Sequence, residues 1–220
     1  MCGFVGLLNF NKNIENISNV ISSMNNALSH RGPDEEGYYV SDTIALGHKR
    51  LIVIDPQGGK QPMSATFKNN NYIICYNGQI YNTSELKDDL ISHGFEIKTS
   101  SDTEILLKSY ILYGKDILKH LNGIFSFAIW NEKNKELFIA RDHFGIKPFY
   151  YSVYNNTFIF SSEIKGILAF PNFPVCIDKY GISELFGIGP AHTPGLCPFK
   201  NIYEIKPGHY AIYDKARSSY

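Results

Sequence analysis

The sequence predicts an α+β layered sandwich in which antiparallel strands outnumber helices. Three observations carry this reading. β-rich runs recur along the 220 residues, and the helical segments fall into two separate groups. From Gly123 onward, four strand-like runs follow one another with only short turns between them.

Taken in order, Gly3 to Asn9 (GFVGLLN) reads as a short buried strand that pins the terminus inside the fold. Ile17, Val20, Ile21, Met24 and Leu28 stand at helical spacing and predict an amphipathic helix over Ile14 to Leu28. HRGPDEEG (His30 to Gly37) is a breaker-rich loop, followed by an extended piece to Val40. Ile44 to Ile54 is strand-like and runs into a long turn between Asp55 and Met63. Tyr72 to Tyr76 is a β-rich run that stops at Asn77-Gly78. Two helices follow, Ser84 to His93 and Asp102 to Tyr113, each terminated before a glycine. IFSFAIWN, KELFIARD, PFYYSVY and NTFIFSSE then predict a meander of antiparallel strands. Glu163 to Phe170 is a short helix. Beyond Pro171 the chain is loose and rich in Pro and Gly (GPAHTPGLCPF), with one last hairpin-like piece, IYEIKPGHYAIYD. The closing KARSSY lacks a capping element and reads as a cut in a longer chain.

Composition excludes several classes of function. Lys plus Arg and Asp plus Glu are both 21, and the basic residues are dispersed, so no nucleic-acid partner is expected. No apolar run is long enough to cross a bilayer, and the first residues lack the pattern of a signal peptide. Cys2, Cys75, Cys176 and Cys197 lie far apart, with neither metal-ligand spacing nor a disulfide framework. A reducing, cytoplasmic setting fits.

Four places carry candidate chemistry. Cys2 follows the initiator methionine directly, so trimming Met1 puts a thiol and a free α-amine on one residue. The thiolate can attack a carbonyl while the amine takes and returns the proton. Arg50 ends an apolar strand, where its fork suits either a ligand carboxylate or a structural ion pair. Asn77-Gly78 reads most simply as a tight turn. Alternatively, a side-chain amide beside a backbone N–H makes a two-donor oxyanion hole. At a helix start, Ser101 or Asp102 can serve as a cap, or Asp102 can hold a ligand ammonium group. Arg50 and Asp102 together would grip an amino acid by its carboxylate and its amine.

MCGFVGLL, HRGPDEEG, LGHKRLIVIDPQGGKQPM, YNGQIYN, SDTEILL, LNGIFSFAIW, LFIARDHFGIKPFYY and FSSEIKGIL occur in order without large insertions. In these motifs the chain resembles the glutaminase domain of bacterial glutamine-hydrolysing asparagine synthetases, a class II glutamine amidotransferase. The resemblance covers residues 1–213, leaving 214–220 as the start of a linker. It implies the N-terminal-nucleophile hydrolase fold, a four-layer αββα sandwich of two antiparallel sheets. It also implies hydrolysis of L-glutamine to glutamate and ammonia. The ammonia would serve an ATP-dependent synthetase domain that turns aspartate into asparagine, or a related acceptor such as a sugar, peptide or antibiotic precursor. A silent interaction domain on the same scaffold is the alternative of another class.

Carried over by position, Cys2 matches the nucleophile, and Asn77 with the N–H of Gly78 matches the oxyanion hole. Arg50 matches the clamp for the glutamine carboxylate, and Asp102 a partner of its amine. Leu51, Ile52, Val53 and Ile54 match the wall of the same pocket, and His30 to Gly37 the loop that closes over it. Gln79 departs from the family, which usually has glutamate there; the hydrogen bond survives but the charge assistance is lost. The pyrophosphate-binding motif of the synthetase half is missing from these 220 residues. The resemblance thus implies no cofactor in this domain, ATP and Mg in the synthetase domain, and a C-terminal domain or partner subunit as acceptor. The full-length protein is a candidate homodimer.

Overall fold

A computed structural model describes residues 1–11, 14–189 and 193–217. Two antiparallel sheets lie face to face. The first contains β1 (Gly3–Leu8), β2 (Glu35–Val40), β3 (Ile44–Arg50), β8 (Tyr150–Tyr154), β9 (Thr157–Ser161) and β10 (Tyr203–Glu204), in the order β10-β8-β9-β1-β3-β2. The second contains β4 (Met63–Phe67), β5 (Asn70–Ile80), β6 (Gly123–Asn131), β7 (Glu136–Arg141) and β11 (Tyr210–Tyr213), in the order β11-β7-β6-β5-β4. Helices α1 (Ile17–Asn26) and α4 (Ile164–Leu168) cover the first sheet; α2 (Thr83–Ser92) and α3 (Asp102–Tyr113) cover the second. This is the expected four-layer αββα sandwich.

Between the sheets, Phe4, Phe149 and Phe160 pack edge-on and stacked with Trp130, Ile73 and Cys75. Each fully buried ring contributes roughly 1.5–3 kcal/mol. β1 is buried at all six positions, which explains its unalternating GFVGLL. The N-terminal strand is therefore central, flanked by β3 and β9, and the residue before it cannot stray. No helix among the described residues is long and apolar enough to cross a membrane.

Several sequence expectations are corrected. The strand expected to reach Ile54 ends at Arg50, because the Arg50 guanidinium folds back onto the carbonyls of Ile54, Asp55 and Pro56. The run expected to stop at Asn77-Gly78 continues to Ile80, paired with β6 throughout, so this Asn-Gly is strand and not turn. The meander is two hairpins in different sheets: β6-β7 in one and β8-β9 in the other. The Asp142 carboxylate turns the chain between them by accepting the N–H groups of Phe125, Phe144, Ile146 and Lys147. Likewise, the last hairpin-like piece splits: β10 pairs with β8, and β11 with β7. Buried Arg141 rivets this crossover through the Ile205 carbonyl (2.7 Å) and Glu204 (2.8 Å).

The helix expected from Ile14 starts only at Ile17, since Asn16 is left-handed (φ 52°). β4 and α5 (Lys179–Ile188) were not anticipated. α5 begins where the Asp178 side chain accepts from the N–H groups of Tyr180 and Gly181. Within the loose stretch, residues 190–192 lie outside the described residues, as do 218–220 of the linker.

Candidate active site

The site forms where β1, β3 and β5 end beside α3. Cys2 immediately precedes β1; its Sγ lies 3.5 Å from the Leu51 carbonyl, and its own carbonyl accepts from Arg31 Nε at 2.8 Å. Arg31 is held in turn by Glu163 at 2.8 Å. Burial alone would raise the Glu163 pKa, but hydrogen bonds from Arg31, His30 and Lys165 hold it at about 2. The backbone of Cys2 is thus anchored through a charge pair, while its thiol faces a small cavity of about 80 Å³.

β5 supplies the opposite wall, and its hydrogen bonding changes along its length. β4 pairs with it only as far as Ile74. At Tyr76 the Gln61 side chain takes over the role of a strand: its Oε1 accepts from the Tyr76 N–H (2.6 Å) and its Nε2 donates to the Tyr76 carbonyl (3.1 Å). At Ile80 the N–H donates to Asp102 Oδ2 at 3.3 Å. Gly78 stands between these two. Its cross-strand neighbour Phe125 spends both backbone groups on Asp142, so this is a non-hydrogen-bonded rung and the Gly78 N–H faces the side that β4 has left. There it has no partner among the described residues. A Cβ at Gly78 would sit 2.3 Å from the Ile124 carbonyl, so only glycine fits this close approach.

Asn77 alternates to the other face, the one that Ile73 and Cys75 turn toward the sheet bearing Cys2. It is 2% exposed, and its Nδ2 has no partner among the described residues. A buried amide donor left open is unusual and calls for an acceptor that the fold does not supply. Two donors are therefore left open at this end of β5; Gly78 lines the cavity that holds the Cys2 thiol, and Asn77 does not.

Asp102 is the first residue of α3, and Ser101 is the cap, accepting from the Thr103 N–H. Relieved of capping by side chain, the Asp102 carboxylate faces the cavity and accepts from Tyr76 Oη at 2.8 Å. Burial raises its pKa, against the lowering effect of the Tyr76 hydrogen bond. The Tyr76 hydroxyl is pushed well above its ordinary pKa, by burial first and by Asp102 second, so it remains a donor. Gln79 also lines the cavity.

Arg50 reaches the same cavity with its charge already engaged. Nη1 donates to Glu35 (2.5 Å) and the Pro56 carbonyl (3.0 Å); Nη2 donates to the carbonyls of Asp55 (2.7 Å) and Ile54 (3.2 Å). The structural ion pair that the sequence allowed for Arg50 is therefore present, with Glu35 as its partner. Leu51, Val53 and Ile54 line the cavity as loop rather than strand; Ile52 does not, its N–H donating to Asp34 Oδ2 at 2.7 Å. Residues 30–37 do not line it either. Gly32 presses on the Lys49 backbone, and Glu35 and Glu36 pair across the strands with Arg50 and Lys49.

Sequence reasoning missed Gln61, Tyr76 and His48. His48 is buried and donates from Nε2 to the Tyr76 carbonyl at 3.1 Å. Burial lowers its pKa to about 4, so it is a neutral brace for β5. The alternation of IALGHKR on a strand was the available signal for it. Gln61 gave none, because a side chain standing in for a strand leaves no pattern. Three larger clefts, about 690, 760 and 880 Å³, contain none of the candidate catalytic or glutamine-binding residues.

Set against known proteins, residues 1–220 match the family described as a glutamine amidotransferase domain. Asparagine synthetase [glutamine-hydrolyzing] 3 of Bacillus subtilis (strain 168) is 46% identical over 215 residues, 98% of this chain and 35% of that protein. The putative asparagine synthetase [glutamine-hydrolyzing] 2 of Methanocaldococcus jannaschii is 37% identical over 233 residues, covering 97% of this chain and 44% of its own. The glutamine phosphoribosylpyrophosphate amidotransferase of B. subtilis, solved with ADP and GMP, superposes with a TM-score of 0.71 at 20% identity. That superposition covers 98% of this chain and 48% of the other, and it establishes the N-terminal-nucleophile fold. The chain belongs to the glutamine amidotransferase domain family. The two asparagine synthetases named above are what it resembles in sequence, and it spans between a third and a half of their length.

Proposed function

We propose that this domain hydrolyses L-glutamine to glutamate and ammonia with Cys2 as the nucleophile. The observation that carries the reading is the Gly78 N–H left open on the cavity that holds the Cys2 thiol, with the buried Asn77 amide open one residue before it and the Cys2 backbone fixed by Arg31. In the reaction the Cys2 sulfur adds to the side-chain amide carbon, and its proton passes to the α-amine freed by loss of Met1. The oxyanion is received by Asn77 and Gly78. The amine then returns the proton to the leaving nitrogen, which departs as ammonia, and water releases glutamate from the thioester. Asp102 and Gln79 hold the ligand ammonium. Arg50 takes the ligand carboxylate only by giving up loop carbonyls, so binding redistributes bonds it already makes. Leu51, Val53 and Ile54 wall the cavity.

The ammonia passes to a synthetase domain or partner subunit, with aspartate as the acceptor favoured by the relatives. That domain would use ATP and Mg, whereas the glutaminase half needs no cofactor. A cytoplasmic, homodimeric full-length protein completes the proposal. The test pairs intact-mass spectrometry with ammonia release on one preparation, using glutamine and simple amides. Material lacking Met1 is expected to turn over glutamine selectively, while material retaining Met1 and Cys2→Ala protein are inactive with unchanged melting temperature. Full turnover by Cys2→Ala would overturn the mechanism.

A further inference from the structure

Lys147 is a buried cation that forms no salt bridge among the described residues. Its backbone is fixed at both ends: its N–H donates to Asp142 Oδ2 (2.9 Å), and its carbonyl accepts from Arg141 Nε (2.8 Å). The residue is only 8% exposed. Its Nζ meets the Met1 sulfur at 3.3 Å, and among the described residues it forms no salt bridge. A thioether is a weak acceptor, and buried ammonium groups are ordinarily paired. The nearby carboxylates are occupied. Asp142 already accepts four backbone N–H groups, and Glu163 is shared by Arg31, His30 and Lys165. Burial, reinforced by the Arg31 charge, pulls the Lys147 pKa below the usual lysine range, while Cys2 and Asp142 pull it back up.

Arg31 and Lys147 thus approach the same terminus, one with its own carboxylate and one without. Once Met1 is removed, the sulfur that Lys147 contacts is gone, and the charged and titratable groups facing it are Arg31, Asp142 and Cys2. Tyr76, which also feels Cys2, stays protonated. We propose that Lys147 is a positioning residue whose ammonium stabilises the Cys2 thiolate of the processed protein, supplying the countercharge that the rest of the site withholds. A cation beside a thiol increases its thiolate fraction at neutral pH. This rests on Cys2 being the nucleophile, but it concerns the thiol itself and is measurable without glutamine.

The experiment follows iodoacetamide alkylation of the N-terminal peptide by mass spectrometry across the neutral pH range, on protein whose mass shows Met1 removed. Reading the N-terminal peptide separates Cys2 from exposed Cys176. Lys147→Met and Lys147→Gln are each expected to slow alkylation about tenfold at neutral pH and displace the profile to higher pH. Lys147→Arg should restore most of the rate. Should Lys147→Met not fold, Lys147→Gln carries the same measurement. Profiles of Lys147→Gln overlaying the parent, or Lys147→Arg displaced as far as Lys147→Gln, would overturn the proposal. Absence of glutamine turnover in the parent with this alkylation pattern intact would count against the glutaminase reading alone.

Discussion

Arg50 and Asn77 are both buried polar residues, and they behave in opposite ways. Arg50 is saturated: one carboxylate and three carbonyls take its terminal N–H groups. Asn77, equally buried, leaves its amide donor open, and so does its neighbour Gly78. Saturated polar groups hold a loop in place, whereas the open donors of Asn77 and Gly78 are, on the proposed reading, where the oxyanion would be received. The fold tolerates the second kind only where the lost hydrogen bonds, about 1–3 kcal/mol each, are offset elsewhere.

Four measurements sharpen or break this contrast. The largest effect is expected from Asn77→Ala, which removes an open donor: kcat for glutamine should fall about 10²–10³-fold with KM little changed. Its thermal stability should not drop, because the fold makes no hydrogen bond through that nitrogen. A destabilised protein with normal kcat would put Asn77 among the structural groups instead.

Next comes Asp102→Asn, expected to raise KM for glutamine roughly tenfold by removing a charge-assisted bond. The raised pKa of Asp102 sets the sign of the pH effect. Its carboxyl takes up a proton before an ordinary aspartate does, so glutamine affinity should fall as pH is lowered toward the upper edge of the carboxylate range. Folding responds in the opposite sense, since a raised folded pKa contributes stability at low pH that is lost as pH rises through it. Affinity independent of pH in that region would remove Asp102 from the ligand site.

Arg50→Lys should act on both sides of the comparison, raising KM severalfold and lowering stability by about 1–3 kcal/mol as the loop carbonyls lose their donor. Denaturant unfolding alongside kinetics separates the two. A change in KM alone would mean that the loop holds itself. The smallest effect is expected from Gln79→Glu, about fivefold tighter glutamine binding from a restored carboxylate. Unchanged affinity by calorimetry would show that this side chain does not meet the ligand.

Much of this site was legible because its residues sit in long runs of pattern. Asp102 to Tyr113 was read to the residue, since Ser101 and Gly114 mark both ends. β1 was legible because a continuous apolar run has few other uses. What failed was the sense of where strands go. Asn77-Gly78 has the composition of a turn, yet β6 pairs through it, and propensity gave way to tertiary pairing. The supposed meander was split by Asp142, whose four N–H contacts bring together residues from Phe125 to Lys147 that local pattern cannot connect. β4 does carry an apolar–polar alternation over MSATF, but for only five residues at a sheet edge, and it borrows its definition from β5.

Gln61 closes the edge of β5 with a side chain, where a longer β4 would have closed it with backbone. A protein engineer seeking thermostability would be drawn to that edge, because extending β4 by four residues, to the position opposite Gly78, would satisfy the Gly78 N–H and complete the ladder. Such a variant should be the more robust molecule and the poorer enzyme, a repair made at the one rung the reaction needs left bare.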